Sequence, residues 1–171
     1  VASEVSPFAK TGGLGDVTGA FPKSLKAKNH EVRVIMPKYK TINERKYVLR
    51  EVIRLKDIPV TINGETKTIN VKSAFLPDSK VQIYFVEIPE FFGRPGLYTD
   101  QNTGKDYTDN AQRFAYFCRG VLETLKILSW RPDIIHCNDW QTALVPIYLK
   151  SLFNEDEFLQ GIKTVFTVHN F

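Results

Sequence analysis

The chain has 171 residues, of which 43% are apolar and 25% charged, a composition that supports a folded core and excludes a disordered or fibrous protein. Lys plus Arg number 23 against 19 Asp plus Glu, and the bases are scattered rather than clustered, so no nucleic-acid partner is expected. No apolar run reaches the ~18 residues of a membrane span, so no membrane partner is expected either.

Neither a signal peptide nor an N-x-S/T sequon occurs. Cys118 and Cys137 lie in apolar segments without C-x-x-C spacing and read as buried free thiols of a reducing compartment, so a cytoplasmic location is expected. The sequence opens on Val1 in mid-strand without an initiator Met, which leaves room for a removed targeting segment.

In chain order, VASEV (1 to 5) reads as the tail of a strand. A helix is expected from Asp16 to about Asn29, with Val17, Ala20, Phe21 and Leu25 on its apolar face and Pro22 kinking it. EVRVIMP (31 to 37) is a short buried strand, which completes a right-handed β-α-β unit. Segments 50 to 64, 65 to 76 and 80 to 90 are strand-like. The turn residues Asn63-Gly64 and Pro77-Asp78 between them predict an antiparallel meander, with a hairpin at Asn63-Gly64.

The glycine-, proline- and tyrosine-rich stretch from Glu90 to Asp109 is long for an idle connection. A helix follows from about Thr108 to Trp130, with Ala111, Phe114, Cys118, Val121, Leu122, Leu125 and Leu128 as one stripe. RPDIIHCNDW (131 to 140) gives a further strand, Thr142 to Phe153 a helix interrupted at Pro146, and IKTVFTVHNF (162 to 171) a last strand. The fold class is α/β: one doubly wound domain with a mainly parallel sheet and a hairpin or meander insertion.

Ligands of such sheets bind beyond the carboxyl ends of parallel strands, which turns the strand endings into a list of candidate site residues. They are Ser6 to Asp16, Pro37 to Lys40, Asn138 to Trp140, and His169-Asn170. AKTGGLGDV (9 to 17) fails the dinucleotide fingerprint, because Thr18 stands where the third glycine belongs. It also fails the P-loop, because Lys10 precedes the glycines.

The glycine turn still suits an anion. Gly12, Gly13 and Gly15 allow positive φ and close approach, Asp16 can cap the helix, and Lys10 can supply the counter-charge. The bland alternative stays open: a plain β-to-α turn with Lys10 solvated, Asp139 an N-cap, and His169 a structural hydrogen-bonder. His136 and Cys137 point to opposite faces of one strand, which argues against a metal.

Taken together, SEVSPFAKTGGLGDVTGAFPKSL (3 to 25), HEVRVIMPKY (30 to 39), YTDNAQRFAYF (107 to 117), RPDIIHCNDWQTALVP (131 to 146) and VFTVHN (165 to 170) resemble the bacterial glycogen synthase and plant starch synthase family, in order and spacing. The first block carries the signature K-x-G-G-L-G-D-V. The resemblance implies a retaining glucosyltransferase of the two-Rossmann-domain GT-B type. Such an enzyme moves glucose from ADP-glucose to the non-reducing end of an α-1,4-glucan acceptor, without cofactor or metal, in the cytoplasm or, in a plant, the plastid.

By the family pattern, Lys10 and the Gly12-Gly13 turn would hold the diphosphate and sugar, and Asp16 would support that turn near the nucleotide. His169 would contact the transferred glucose with Asn170 beside it, while Asp139 and Tyr107 would face the acceptor. Residues 1 to 171 resemble only the N-terminal Rossmann-like half, incomplete at both ends. The C-terminal nucleotide-binding domain, with its arginine, lysine and glutamate, is absent, so this half is expected to be inactive alone. Two competing functions remain at this stage. One is a non-catalytic glucan- or nucleotide-binding module of the same fold, and the other is an NAD-type oxidoreductase domain, which lacks its fingerprint here.

Overall fold

The computed structural model describes residues 1 to 170. The elements, in order, are α1 (Gly13–Ala27), β1 (Arg33–Pro37), β2 (Arg50–Glu51), β3 (Ile58–Ile62), β4 (Glu65–Phe75), β5 (Gln82–Glu87), the short α2 (Pro89–Phe92), α3 (Asn110–Leu128), β6 (Ile134–Asn138), α4 (Leu144–Lys150) and β7 (Lys163–Thr167). The Phe171 end of the expected last strand lies outside the described residues.

The sheet is mixed. β1 runs parallel to β5, and β6 parallel to β7. β4 pairs antiparallel with β5, β2 and β3, which is the expected meander. Its hairpin turns at Asn63 and Gly64 with φ of 50° and 76°, the pair of left-handed residues that a two-residue hairpin demands.

The expected first strand is reduced to an extended segment that joins the two sheets. Val1 donates to the His136 carbonyl and accepts from the Asn138 amide, and Ala2 donates to the Ile35 carbonyl. This is parallel pairing on both sides. On the β1 side the next donor in register is Pro37, which has no N–H, so the ladder stops after one bond. The carboxyl ends of segment 1 to 5, β1, β6 and β7 therefore lie along one edge.

Helices cover both faces. Phe21 of α1 meets His136 edge-on at 5.9 Å, while the next residue, Cys137, points into the core that Cys118 of α3 shares. On α3, Gly120 lets the helix press against β4 and β5, since a Cβ there would stand 3.0 Å from Ile69 and 3.2 Å from Val86. Ser129 ends α3 in the left-handed conformation, with its amide and that of Trp130 bonded back to Lys126 and Leu125.

Two helix expectations are corrected. The buried stripe of α1 is Leu14, Gly15, Thr18 and Pro22, with Val17 and Phe21 half-exposed. The small residues face inward because α1 lies against the 5-to-10 loop, where a Cβ on Gly19 would stand 2.6 Å from the Ser6 carbonyl. The expected helix from Thr142 to Phe153 is α4, only 144 to 150. Pro146 sits in its first turn, where a missing N–H costs nothing, so α4 starts around the proline instead of breaking at it.

Candidate functional site

The first strand ending turns back sharply, Val5 pairing with Ala9, and leads into α1 at Gly13. Gly12 caps the helix in extended conformation, φ −163°, and none of the three glycines of this turn has positive φ, contrary to expectation. They serve space instead. A Cβ on Gly15 would stand 2.5 Å from that of Lys10, while Cβ atoms on Gly12 and Gly13 would meet nothing within 4 Å. The turn packs tightly beneath and is open above at Gly12 and Gly13, at a helix end whose first amides have no intrahelical acceptor.

Asp16 lies inside the first turn of α1 and makes no cap bond. Its carboxylate binds the Lys10 ammonium at 2.7 and 2.9 Å, and both side chains are about half exposed. Lys10 is thus held over the turn by Asp16, and an anion bound there would share that ammonium with the carboxylate.

Below the turn lies a residue that the sequence reading did not single out. Glu4 is buried, and its carboxylate accepts from the Thr11 amide at 2.5 Å, the Thr11 hydroxyl at 3.0 Å and the Tyr98 hydroxyl at 2.7 Å. Its carbonyl accepts from Thr18 on α1 at 2.5 Å. Tyr98 also bonds Ser3, and burial pushes its phenol far above the usual range. An acid amid a buried apolar strand demands such partners, and that is the signal by which Glu4 was findable.

The second strand ending is a closed hydrogen-bonded unit. Asp139 is 2% exposed, with φ 62° and ψ 175°. Its Oδ1 accepts from the His169 amide at 2.6 Å and the Asn170 amide at 3.3 Å, and its Oδ2 from the Asn170 side-chain amide at 2.6 Å. The carboxylate expected to face an acceptor is therefore occupied in shaping the turn after β7. His169 Nε2 lies 2.9 Å from Asn138 Oδ1.

Tyr107 joins neither group. Its hydroxyl accepts from the Gly96 amide at 3.3 Å, and the guanidiniums of Arg94 and Arg113 each stand 4.8 Å from its ring centroid. Arg113, fully buried, binds the Phe91 and Leu97 carbonyls and Asn110, and Arg94 forks onto Asp109 at 2.7 and 2.8 Å. The long connection is thereby an ordered wall. Tyr107 lines a groove of about 510 Å³ along it, with Asp100, Lys105 and Asp106. Among the described residues, no three His, Cys, Asp or Glu side chains converge as a metal-ligand set, and no helix is long and apolar enough to cross a membrane.

The structure thus assembles Lys10, Gly12, Gly13 and Asp16 at one strand ending, and Asp139 after β6 and His169 and Asn170 after β7 at the next two endings on the same edge. The Starch synthase catalytic domain model matches residues 1–171. Similar proteins include the glycogen synthases of Chlorobium luteolum and Geotalea daltonii, each 48% identical over 170 residues. These residues are 99% of this chain but only 35% and 34% of theirs.

The catalytic domain of starch synthase IV from Arabidopsis thaliana, solved bound to ADP and acarbose, superposes with a TM-score of 0.83 at 34% identity, over 99% of this chain and 33% of that one. The chain spans about a third of the length of these relatives. It belongs to the starch synthase catalytic domain family.

Proposed function

We propose that the polypeptide carrying this chain is a glycogen or starch synthase, a retaining glucosyltransferase that moves glucose from ADP-glucose to the non-reducing end of an α-1,4-glucan. The observation that carries this reading is the sharing of one sheet edge by the open helix N-terminus at Gly12-Gly13 and the braced His169-Asn170 turn. The bond from the anomeric carbon to the diphosphate breaks and one to an acceptor hydroxyl forms, so negative charge builds on the leaving phosphate oxygens. Fixed donors there contribute most, and loss of one costs about 3 kcal/mol.

In this reading the amides of Gly13 and Leu14, with Lys10, meet the diphosphate. Asp16 keeps Lys10 over the turn, and His169 and Asn170 meet the sugar. Asp139 acts through them as a positioning residue, and Tyr107 belongs to the acceptor wall. A C-terminal domain of the same polypeptide completes the cleft. The reading assigns no resident metal or cofactor and a cytoplasmic or plastid location.

The test is a coupled assay on the full-length polypeptide with ADP-glucose and UDP-glucose, glycogen as acceptor. ADP-glucose should be used, and Lys10→Ala should lower turnover at least tenfold with the fold intact, because the leaving group loses a counter-charge. Glucan binding without transfer from either donor would replace this reading with a non-catalytic module.

A further inference from the structure

The hydrogen bonds around Asn138 fix a proton that distances alone leave open. Nε2 of His169 faces Oδ1 of Asn138 at 2.9 Å, and an imidazole nitrogen there either donates to a carbonyl oxygen or accepts from an amide nitrogen. The Asn138 amide cannot turn over to offer its nitrogen. Its Nδ2 donates to the Val1 carbonyl at 3.1 Å, and a reversed amide would set two carbonyl oxygens against each other.

The main chain holds the same carbonyl in place, because the Asn138 amide also donates to it at 3.2 Å. Asn138 is buried, so water does not substitute for either partner. Oδ1 therefore points at the ring, and Nε2 must carry the hydrogen. The neutral ring then has its lone pair on Nδ1, and among the described residues Nδ1 has no hydrogen-bond partner.

We infer that Asn138 is a positioning residue that fixes His169 as the Nε2–H tautomer, so that His169 meets its ligand as a hydrogen-bond acceptor at Nδ1. The ligand group recognised is then a donor, a sugar hydroxyl rather than a phosphate or carboxylate oxygen. This rests on the reading that His169 contacts the transferred glucose, and it adds the direction of that bond and the residue that sets it. The arrangement is one of orientation through a second group, as in metal sites and triads, where the far nitrogen's partner decides what the near nitrogen can do. His136, two residues earlier, has its Nε2 engaged by Thr167 on β7 and takes no part.

The full-length protein labelled with 15N-histidine tests this directly, with His169 assigned by the signal lost in His169→Gln. Long-range 1H–15N spectra at neutral pH should show Nε2 protonated and Nδ1 bare in the wild type. In Asn138→Leu, which removes the acceptor at similar volume, an Nδ1–H population should appear. The kcat should fall roughly tenfold while KM for ADP-glucose stays within about twofold, the pattern of a contact that matters in the transition state.

A wild-type ring protonated on Nδ1 overturns the inference, as does an unchanged single tautomer in Asn138→Leu. Because a free neutral imidazole already favours the Nε2–H form, the wild-type spectrum serves to refute, and the role of Asn138 is read from the variant, with Asn138→Ala in place of Asn138→Leu if the latter does not fold. If the tautomer is as stated but the protein transfers no glucose, the enzyme reading fails and the role of Asn138 stands.

Discussion

Replacing Asp139 by alanine and by glycine separates a strained, pre-organised turn from an ordinary helix entry. Its backbone, at φ 62° and ψ 175°, lies in a region that glycine almost alone populates, at a cost to other residues on the order of 1–3 kcal/mol. Against that stand two bonds of 2.6 Å to its carboxylate, from the His169 amide and the Asn170 side chain. Hydrogen bonds to a charged group contribute about 1.5–3 kcal/mol each. Asp139 is 2% exposed, so water screens little, but Asn170 is exposed and its donor regains water when freed. The low end, about 3 kcal/mol for the pair, is therefore the better figure.

Asp139→Ala removes the bonds and keeps the strain, whereas Asp139→Gly removes both. Glycine should thus be more stable than alanine by about 1–3 kcal/mol at this position, the reverse of their order in regular structure. In both variants the His169 amide should exchange hydrogen about tenfold faster, as ~1.5 kcal/mol for its own bond to Asp139 at 1.4 kcal/mol per tenfold requires. Urea unfolding and amide exchange of the full-length protein read the two effects separately. Alanine as stable as glycine would refute strain at position 139 and with it a turn pre-organised by that strain.

Glu4→Gln turns an amide N–H toward donors and should cost about 1–3 kcal/mol, read as a lower urea midpoint, and Tyr98→Phe should cost a similar amount because its hydroxyl serves both Glu4 and Ser3. Gly13→Ala should hold or raise stability, since a Cβ there meets nothing and alanine favours the helix, yet raise KM for ADP-glucose several-fold by standing where the diphosphate approaches. An unchanged KM would remove Gly13 from the donor site.

Hydrogen bonds from Arg94 and Lys126 hold the carboxyls of Asp109 and Asp156 below the usual range. Because the folded-state values are depressed, that stabilisation is complete above the unfolded value near 3.9 and is lost as pH falls below it. The urea midpoint should drop as pH falls below about 4, and less so in the double variant Asp109→Asn, Asp156→Asn.

What could be read from the sequence was local. Asn63-Gly64 announces its turn because only left-handed residues close a two-residue hairpin, and α3 announces itself by nineteen residues of helical periodicity. The strand endings could be read from topology, so Lys10 and His169 could be placed at strand endings without any contact being known. What the sequence hid depended on distant partners. Glu4 is satisfied by Tyr98, 94 residues away, and Asp139 by residues 30 and 31 further on. The role of the glycines was misjudged for the same reason: Gly15 answers to the packing of Lys10 against the helix and not to its own φ.

Residues 1 to 5 tie the two strand endings to one another. Through its carboxylate Glu4 sets Thr11, which precedes Gly12, and through its carbonyl it sets Thr18 on α1. Three residues earlier, the Val1 carbonyl sets Asn138 and so the ring of His169. The glycine turn and the His169 imidazole are thus referenced to one short stretch of backbone, wedged between β6 and β1 and unable to move against one without straining its bonds to the other. In the proposed reaction both groups would have to be placed relative to one another within a fraction of an ångström, and main-chain pairing, rather than direct contact between the two groups, is what fixes their spacing.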